Sequence, residues 1–156
     1  MDFFTLPYNA EQQEKKDIEK DGSAAIVNHD NSAASGLKIL IAEDDDVSEK
    51  LLEIEVKLFS KEILKAKTGL EAVEICRDNP DIDLILMDIQ MAEMSGHEAT
   101  RQIRKFNKKV VIIAQTAIVI TGAREKALEA GCSDFIEKPI RKTELLHLIE
   151  KHFVNN

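Results

Sequence analysis

From residue 37 onward, short apolar runs alternate with segments of helical spacing. Leu37–Ala42 reads as a strand, and so do 84–87 and 110–114, each bounded by polar residues. Two shorter runs, 63–66 and 135–136, read as further strands. Between them, apolar residues recur at helical intervals. Val47, Leu51, Leu52, Ile54, Leu58 and Phe59 mark the first helix, and Ala72, Val73, Ile75 and Cys76 the second. A third helix is expected over 95–106 with Ala99 and Ile103 on one face, and a fourth over 124–130. Leu145, Leu146, Leu148, Ile149 and Phe153 define the last. The boundaries carry their own chemistry. Thr68 and Glu71 have capping-box spacing, Asn79 and Pro80 stop the second helix, and Gly131 is a natural C-terminal cap for the fourth. Five strands alternating with five helices predict an α/β fold, a doubly wound parallel sheet with helices on both faces.

The first 36 residues break this pattern. Residues 11–36 are mostly charged, small or polar, with only Ile18, Ile26 and Val27 bulky and apolar, and they read as a linker. Residues 1–10 carry the apolar stretch Phe3, Phe4, Thr5, Leu6, Pro7, Tyr8, which is strand-like but too short to fold alone.

Composition narrows the function. A chain of 156 residues with 44% hydrophobic content can bury a real core. A formal net charge of -8 argues against a nucleic-acid surface, which calls for a basic stripe, and the absence of Trp leaves no obvious platform for bases. Cys76 and Cys132 are isolated thiols and read as small buried apolar residues in a reduced, cytoplasmic setting. No signal peptide or run of the ~20 apolar residues that spans a bilayer is seen. No membrane contact by this segment is therefore expected, although it could be one piece of a membrane-anchored protein.

The candidate chemistry lies where strands end. Parallel strands deliver their C-terminal ends to one edge, where ligands bind. Glu43 and Asp44 follow the first strand, Asp88 ends the third, Thr116 follows the fourth and Lys138 the fifth. Carboxylates from two strand ends repel one another and call for a hard divalent cation such as Mg²⁺, or Mn²⁺. A carboxylate can attack phosphorus and form an acyl phosphate. Around Asp88, a cation, the Lys138 ammonium and the Thr116 hydroxyl would stabilise a transferring phosphoryl group electrostatically.

These residues sit within ILIAEDD, DLILMDIQM with Met94, Ser95 and Gly96, IIAQTA and REKALEAGCSDFIEKPI. Together they resemble the receiver domain of two-component signalling, over residues 37–156. The resemblance implies a flavodoxin-like sheet of strand order 2-1-3-4-5. Asp88 would be the phosphoacceptor, with phosphate coming from a phosphohistidine. Glu43, Asp44, Asp88 and the backbone carbonyl of Gln90 would hold the metal. Thr116 and Phe135 would be the switch pair, and Lys138 would contact phosphate, with a cis bond before Pro139. Implied partners are a histidine kinase core, in cis or in trans, and a histidine phosphotransfer protein. The flavour of the match resembles the C-terminal receivers of hybrid sensor histidine kinases, and residues 1–10 resemble the end of a kinase ATP-binding domain.

Two positions depart from the family pattern. Ala92 stands where Pro is usual, which leaves the loop less restricted. Residues 117–120 (AIVI) put an apolar run at the expected start of the fourth helix. A homodimer contact is expected there, across the face formed by 117–120 and 140–150. Alone, each site residue has a plain explanation. The acidic run 43–46 could be a solvated helix start, with Asp46 near the N-cap. His29, His97, His147 and His152 show no ligand spacing and read as surface or capping residues. Two other functions compete. An aspartyl-phosphate phosphatase would need an acid/base two residues after Asp88, where Gln90 stands. A degenerate receiver used only for docking would not need the full set of Glu43, Asp44, Asp88, Thr116 and Lys138.

Overall fold

A computed structural model describes residues 35–154. The expectations for residues 1–10, and for the linker up to residue 34, lie outside them. Five strands alternate with five helices: β1 (Leu37–Ala42), α1 (Asp46–Val56), β2 (Ser60–Ala66), α2 (Gly69–Asp78), β3 (Leu84–Asp88), α3 (Gly96–Arg104), β4 (Val111–Thr116), α4 (Ala123–Ala130), β5 (Asp134–Glu137) and α5 (Lys142–Phe153). All pairings are parallel, and the sheet order is β2-β1-β3-β4-β5. The chain winds outward from β1 to β2, then crosses to β3 on the other side of β1. That reversal opens a crevice at the C-terminal ends of β1 and β3.

Alternation within each strand makes two cores. Leu40, Ala42, Ile85, Met87, Ile112 and Ala114 face one side, with Val73, Cys76, Ala99, Ile103 and Ala127 from α2, α3 and α4. Ile39, Ile41, Leu84, Leu86, Ile113 and Ile136 face the other, with Leu52, Val56, Leu145 and Ile149 from α1 and α5. Cys76 and Cys132 are free and buried, and burial pushes both thiols up.

Local chemistry explains most of the boundaries. Asn79 ends α2, and its side-chain amide donates to the Ile75 carbonyl. Gly131 ends α4 at a φ of 113°, a left-handed value that suits glycine. The Thr68 hydroxyl accepts from the Glu71 amide, while the Glu71 carboxylate reaches the Lys67 amide rather than that of Thr68, a loosened capping box.

Asp46, expected near the N-cap of α1, is its first helical residue; the cap itself is Asp45, which accepts from the Ser48 amide at 2.8 Å. Three expectations need correction. The buried face of α1 is Glu49, Leu52 and Val56, and Phe59 of the following turn is buried too. Val47, Leu51, Ile54 and Leu58 are exposed, because they fall on the opposite stripe at helical spacing. Thr116 lies within β4, as its last residue, rather than after it. Finally, 117–120 is no part of α4. Three consecutive β-branched residues disfavour a helix there, the Thr116 hydroxyl bonds Ile118 on both backbone sides, and Gly122 at a φ of 86° resets the chain before Ala123.

Candidate functional site

Two turns bring the acidic residues together. The Glu43 amide bonds the Ala66 carbonyl, which ties the end of β1 to the end of β2. After β3, the Ile89 amide bonds the Gln115 carbonyl, and Gly96 folds back with its amide on the Ile89 carbonyl. A Cβ at Gly96 would lie 2.3 Å from the Asp88 carbonyl oxygen, so only glycine lets α3 start so close to the strand end.

Within this frame Glu43 and Asp88 are buried and Asp44 is exposed, with a carboxylate oxygen of each within 4.8 Å of the others. Lys138 reaches across from the end of β5. Its Nζ lies 2.6 Å from Glu43 Oε2 and 3.5 Å from Asp88 Oδ2. The Gln90 amide donates to Asp88 Oδ1 at 3.0 Å, and the Asp45 amide to Glu43 Oε1 at 3.2 Å. Even so, the pocket is short of positive charge. Burial first, and then Glu43, push the Asp88 carboxyl up to about 7, against the opposing pull of Lys138 and the Gln90 amide. Burial acts to lower the Lys138 ammonium, but Glu43 and Asp88 outweigh it and hold it above its ordinary value.

Thr116 is linked to Asp88 through Gln90. The Thr116 hydroxyl donates to Gln90 Oε1 at 3.0 Å or to the Ile118 carbonyl at 3.1 Å. A cavity of about 130 Å³ separates Thr116 from Phe135, bordered also by Gln90, His97 and Ile118. Phe135 is half-buried against the core on the α2–α4 side. The peptide between Lys138 and Pro139 is cis, as expected. The structure thus gathers Glu43, Asp44, Asp88 and Lys138 into one cluster, with Gln90 and Thr116 beside it and Phe135 one small cavity away.

Two residues take parts at the site that the sequence does not announce. The Gln90 side chain accepts from the Thr116 hydroxyl, whereas the family resemblance implies a part only for its backbone carbonyl. His97 lines the small cavity rather than a plain surface. Outside the cluster, Gln115 is buried in β4 without a side-chain partner. The visible signal for it was a polar residue inside an otherwise apolar strand run, IIAQTA.

The comparisons with known proteins agree on one family. Residues 39–150 match the model of the response regulator receiver domain. The chain is 39% identical over 124 residues to hybrid signal transduction histidine kinase G of Dictyostelium discoideum. That match covers 74% of this chain but 4% of the relative, so the chain spans a small part of that protein's length. Among solved structures it is similar to the receiver domain of Saccharomyces cerevisiae Ssk1, crystallised with the histidine phosphotransfer signalling protein Ypd1. That likeness has 31% identity and a TM-score of 0.70, and it covers 76% of this chain and 90% of that one. It is also similar to the receiver domain of a sensor histidine kinase from Pseudomonas aeruginosa, which has a magnesium ion coordinated in its active-site cleft. There the identity is 31% and the TM-score 0.69, covering 78% of this chain and 100% of that one.

Proposed function

The chain belongs to the response regulator receiver domain family, and on that premise we propose that Asp88 accepts a phosphoryl group from a phosphohistidine. The observation that carries this reading is the cluster itself. Asp88 is buried at a strand end beside Glu43, Asp44 and Lys138, with a carboxyl group held far from its ordinary acidity. A buried carboxylate set against other carboxylates is costly, and such arrangements mark functional sites.

An Asp88 carboxylate oxygen attacks phosphorus, the bond from phosphorus to the donor imidazole nitrogen breaks, and that nitrogen keeps the electron pair. The Gln90 amide fixes one Asp88 oxygen and so orients the other. Lys138 exchanges its contact with Asp88 for a phosphoryl oxygen, and its compact ammonium suits that part. Thr116 releases Gln90 and donates to a second phosphoryl oxygen. Its departure opens the small cavity, into which the Phe135 ring turns.

The residues fit a divalent cation. Three carboxylates against one ammonium leave two negative charges when all are ionised. Glu43, Asp44, Asp88 and the Gln90 carbonyl would hold Mg²⁺, or Mn²⁺, by oxygen ligands suited to a hard ion. When bound it supplies charge neutralisation between the carboxylates and the incoming phosphoryl group.

A histidine kinase core or a histidine phosphotransfer protein would supply or take the phosphate. Ile118, Val119 and Ile120 remain exposed beside Thr116, so a second copy seated on 117–120 and 140–150 would bury them. Sedimentation velocity with and without phosphate tests that contact, and a monomer at high concentration in both states would remove it. Among the described residues, no helix is long and apolar enough to cross a membrane.

The direct test is intact mass after incubation with acetyl phosphate, with and without Mg²⁺, beside Asp88→Asn. A Mg²⁺-dependent gain of one phosphoryl group in the wild type alone is expected. A gain of equal size in Asp88→Asn would place the acceptor elsewhere.

A further inference from the structure

A second cavity, of about 320 Å³, lies between α1 and the segment that follows β5. Its walls are apolar: Leu51 and Leu52 on one side, Pro139 and Ile140 on the other. Gln115 lies beneath them and is 1% exposed. Neither Gln115 Oε1 nor Gln115 Nε2 has a hydrogen-bond partner, and Glu55 Oε1, also at this cavity, is buried and unpartnered. Buried carboxamides and carboxylates nearly always find partners, and an orphaned one costs stability. The obvious neighbour cannot serve, because the Lys138 ammonium is committed to Glu43 and Asp88. The volume falls in the range of small-ligand sites, about 300–1,000 Å³, and an apolar cavity with a few convergent polar groups is the usual form of one.

The chemistry of the two orphans defines a class of ligand. A carboxamide presents a donor beside an acceptor, so its complement is a second amide edge. Glu55 Oε1 needs a donor, which the second N–H of a primary amide supplies. Glu55 disfavours an anion, and the apolar walls disfavour a charge of either sign, so the ligand is neutral. The walls select an aromatic or aliphatic body. Leu51, 57% exposed, is the wall with room to move and admit it to the buried carboxamide.

We propose that this cavity is a binding site for a small neutral molecule whose amide edge pairs with Gln115 and Glu55 and whose apolar body packs on Leu51, Leu52, Pro139 and Ile140. The site is separate from the carboxylate cluster, although Lys138 borders both.

The test is a titration of the ¹⁵N-labelled full chain with benzamide, and in parallel with benzoate, followed by NMR. It uses unphosphorylated protein, so its failure leaves the phosphoryl-acceptor reading intact. Saturable shifts are expected at the Gln115 side-chain amide and the backbone amides of Leu51 and Ile140. Benzoate and the Gln115→Leu variant should each weaken binding by about tenfold or more, roughly the factor carried by one hydrogen bond. Glu55→Ala, at a half-buried helix position, gives a second variant with weakened binding should Gln115→Leu fold poorly. No saturable shift up to the solubility limit would overturn the site. Equal binding of benzoate, or equal binding by both variants, would mean an adventitious additive only and would overturn it too.

Discussion

Asp88 and Asp134 are both carboxylates at 2% exposure, yet their surroundings are opposite. Asp88 shares its pocket with Glu43 and Asp44 and has Lys138 at 3.5 Å. Asp134, at the start of β5, is surrounded by partners: the cations Arg124 at 3.5 Å and Lys151 at 3.0 Å, and the His152 ring Nε2 at 3.0 Å. Burial pushes both carboxyls up. At Asp88, Glu43 adds to the push and the group reaches about 7. At Asp134, bonds from His152, Lys151 and the Phe135 amide outweigh burial and hold it at about 2. A carboxylate meant to stay ionised and fix structure is given its partners within the fold. One left short of them waits for charge from outside.

The largest effect that would break this contrast is on phosphoryl acceptance. Asp88→Asn should abolish the Mg²⁺-dependent mass gain from acetyl phosphate, while Asp134→Asn retains it. A mass gain lost in Asp134→Asn with the fold intact would make the structural carboxylate functional, and the contrast would fail.

Stability against pH comes next. A carboxyl raised above its ordinary 3.8 favours the protonated fold, so stability falls as pH climbs from about 4 through 7. A carboxyl lowered to about 2 contributes stability above 3.8 and loses it as pH falls through 2. With Mg²⁺ chelated, the chain should be more stable at pH 5 than at pH 8 in urea unfolding. Asp88→Asn should flatten that slope and add on the order of 2 kcal/mol at pH 8. A slope unchanged in Asp88→Asn would remove Asp88 as its source.

A smaller change follows from metal. Mg²⁺ at tenfold its dissociation constant should stabilise the wild type by about 1.4 kcal/mol. The gain should be much reduced in Asp44→Ala and negligible when Glu43 and Asp88 are also neutralised. Thermal unfolding with and without chelator reads it, and equal gains in all variants would move the metal elsewhere.

The smallest effect lies at the satisfied end. Asp134→Asn should cost about 1 kcal/mol, because Arg124 and Lys151 are half exposed and are rehydrated when released. A gain in stability instead would show that the cations crowd one another more than Asp134 relieves them.

Much of this was legible in the chain. Apolar runs with polar boundaries located five strands within a few residues; the signal was clearest for the central strands β1, β3 and β4, because a strand buried on both faces admits few polar residues. Caps such as Thr68 and Gly131 located helix ends, because they satisfy backbone groups locally. Glu43, Asp44, Asp88, Thr116 and Lys138 were legible as a set, because parallel strands must deliver their ends to one edge. Helix faces were less legible. Along α1 two apolar stripes compete, and only the sheet decides that Leu52 and Val56 go inward while Leu51 and Ile54 stay out. The fate of 117–120 was also hidden, since an apolar run alone does not reveal a hydroxyl that captures the next backbone turn.

Periodicity, capping and strand length are local or one-dimensional, so the chain alone dictates which elements form and which residue types reach the ligand edge. The state of each charge is set instead by tertiary packing. Lys138 comes to within 2.6 Å of Glu43 across 95 residues of chain, Asp134 collects its cations from α4 and α5, and the Gln115 side chain is left without a partner. Those outcomes depend on which groups share a desolvated space, and that sharing arises only when the sheet closes between its helices.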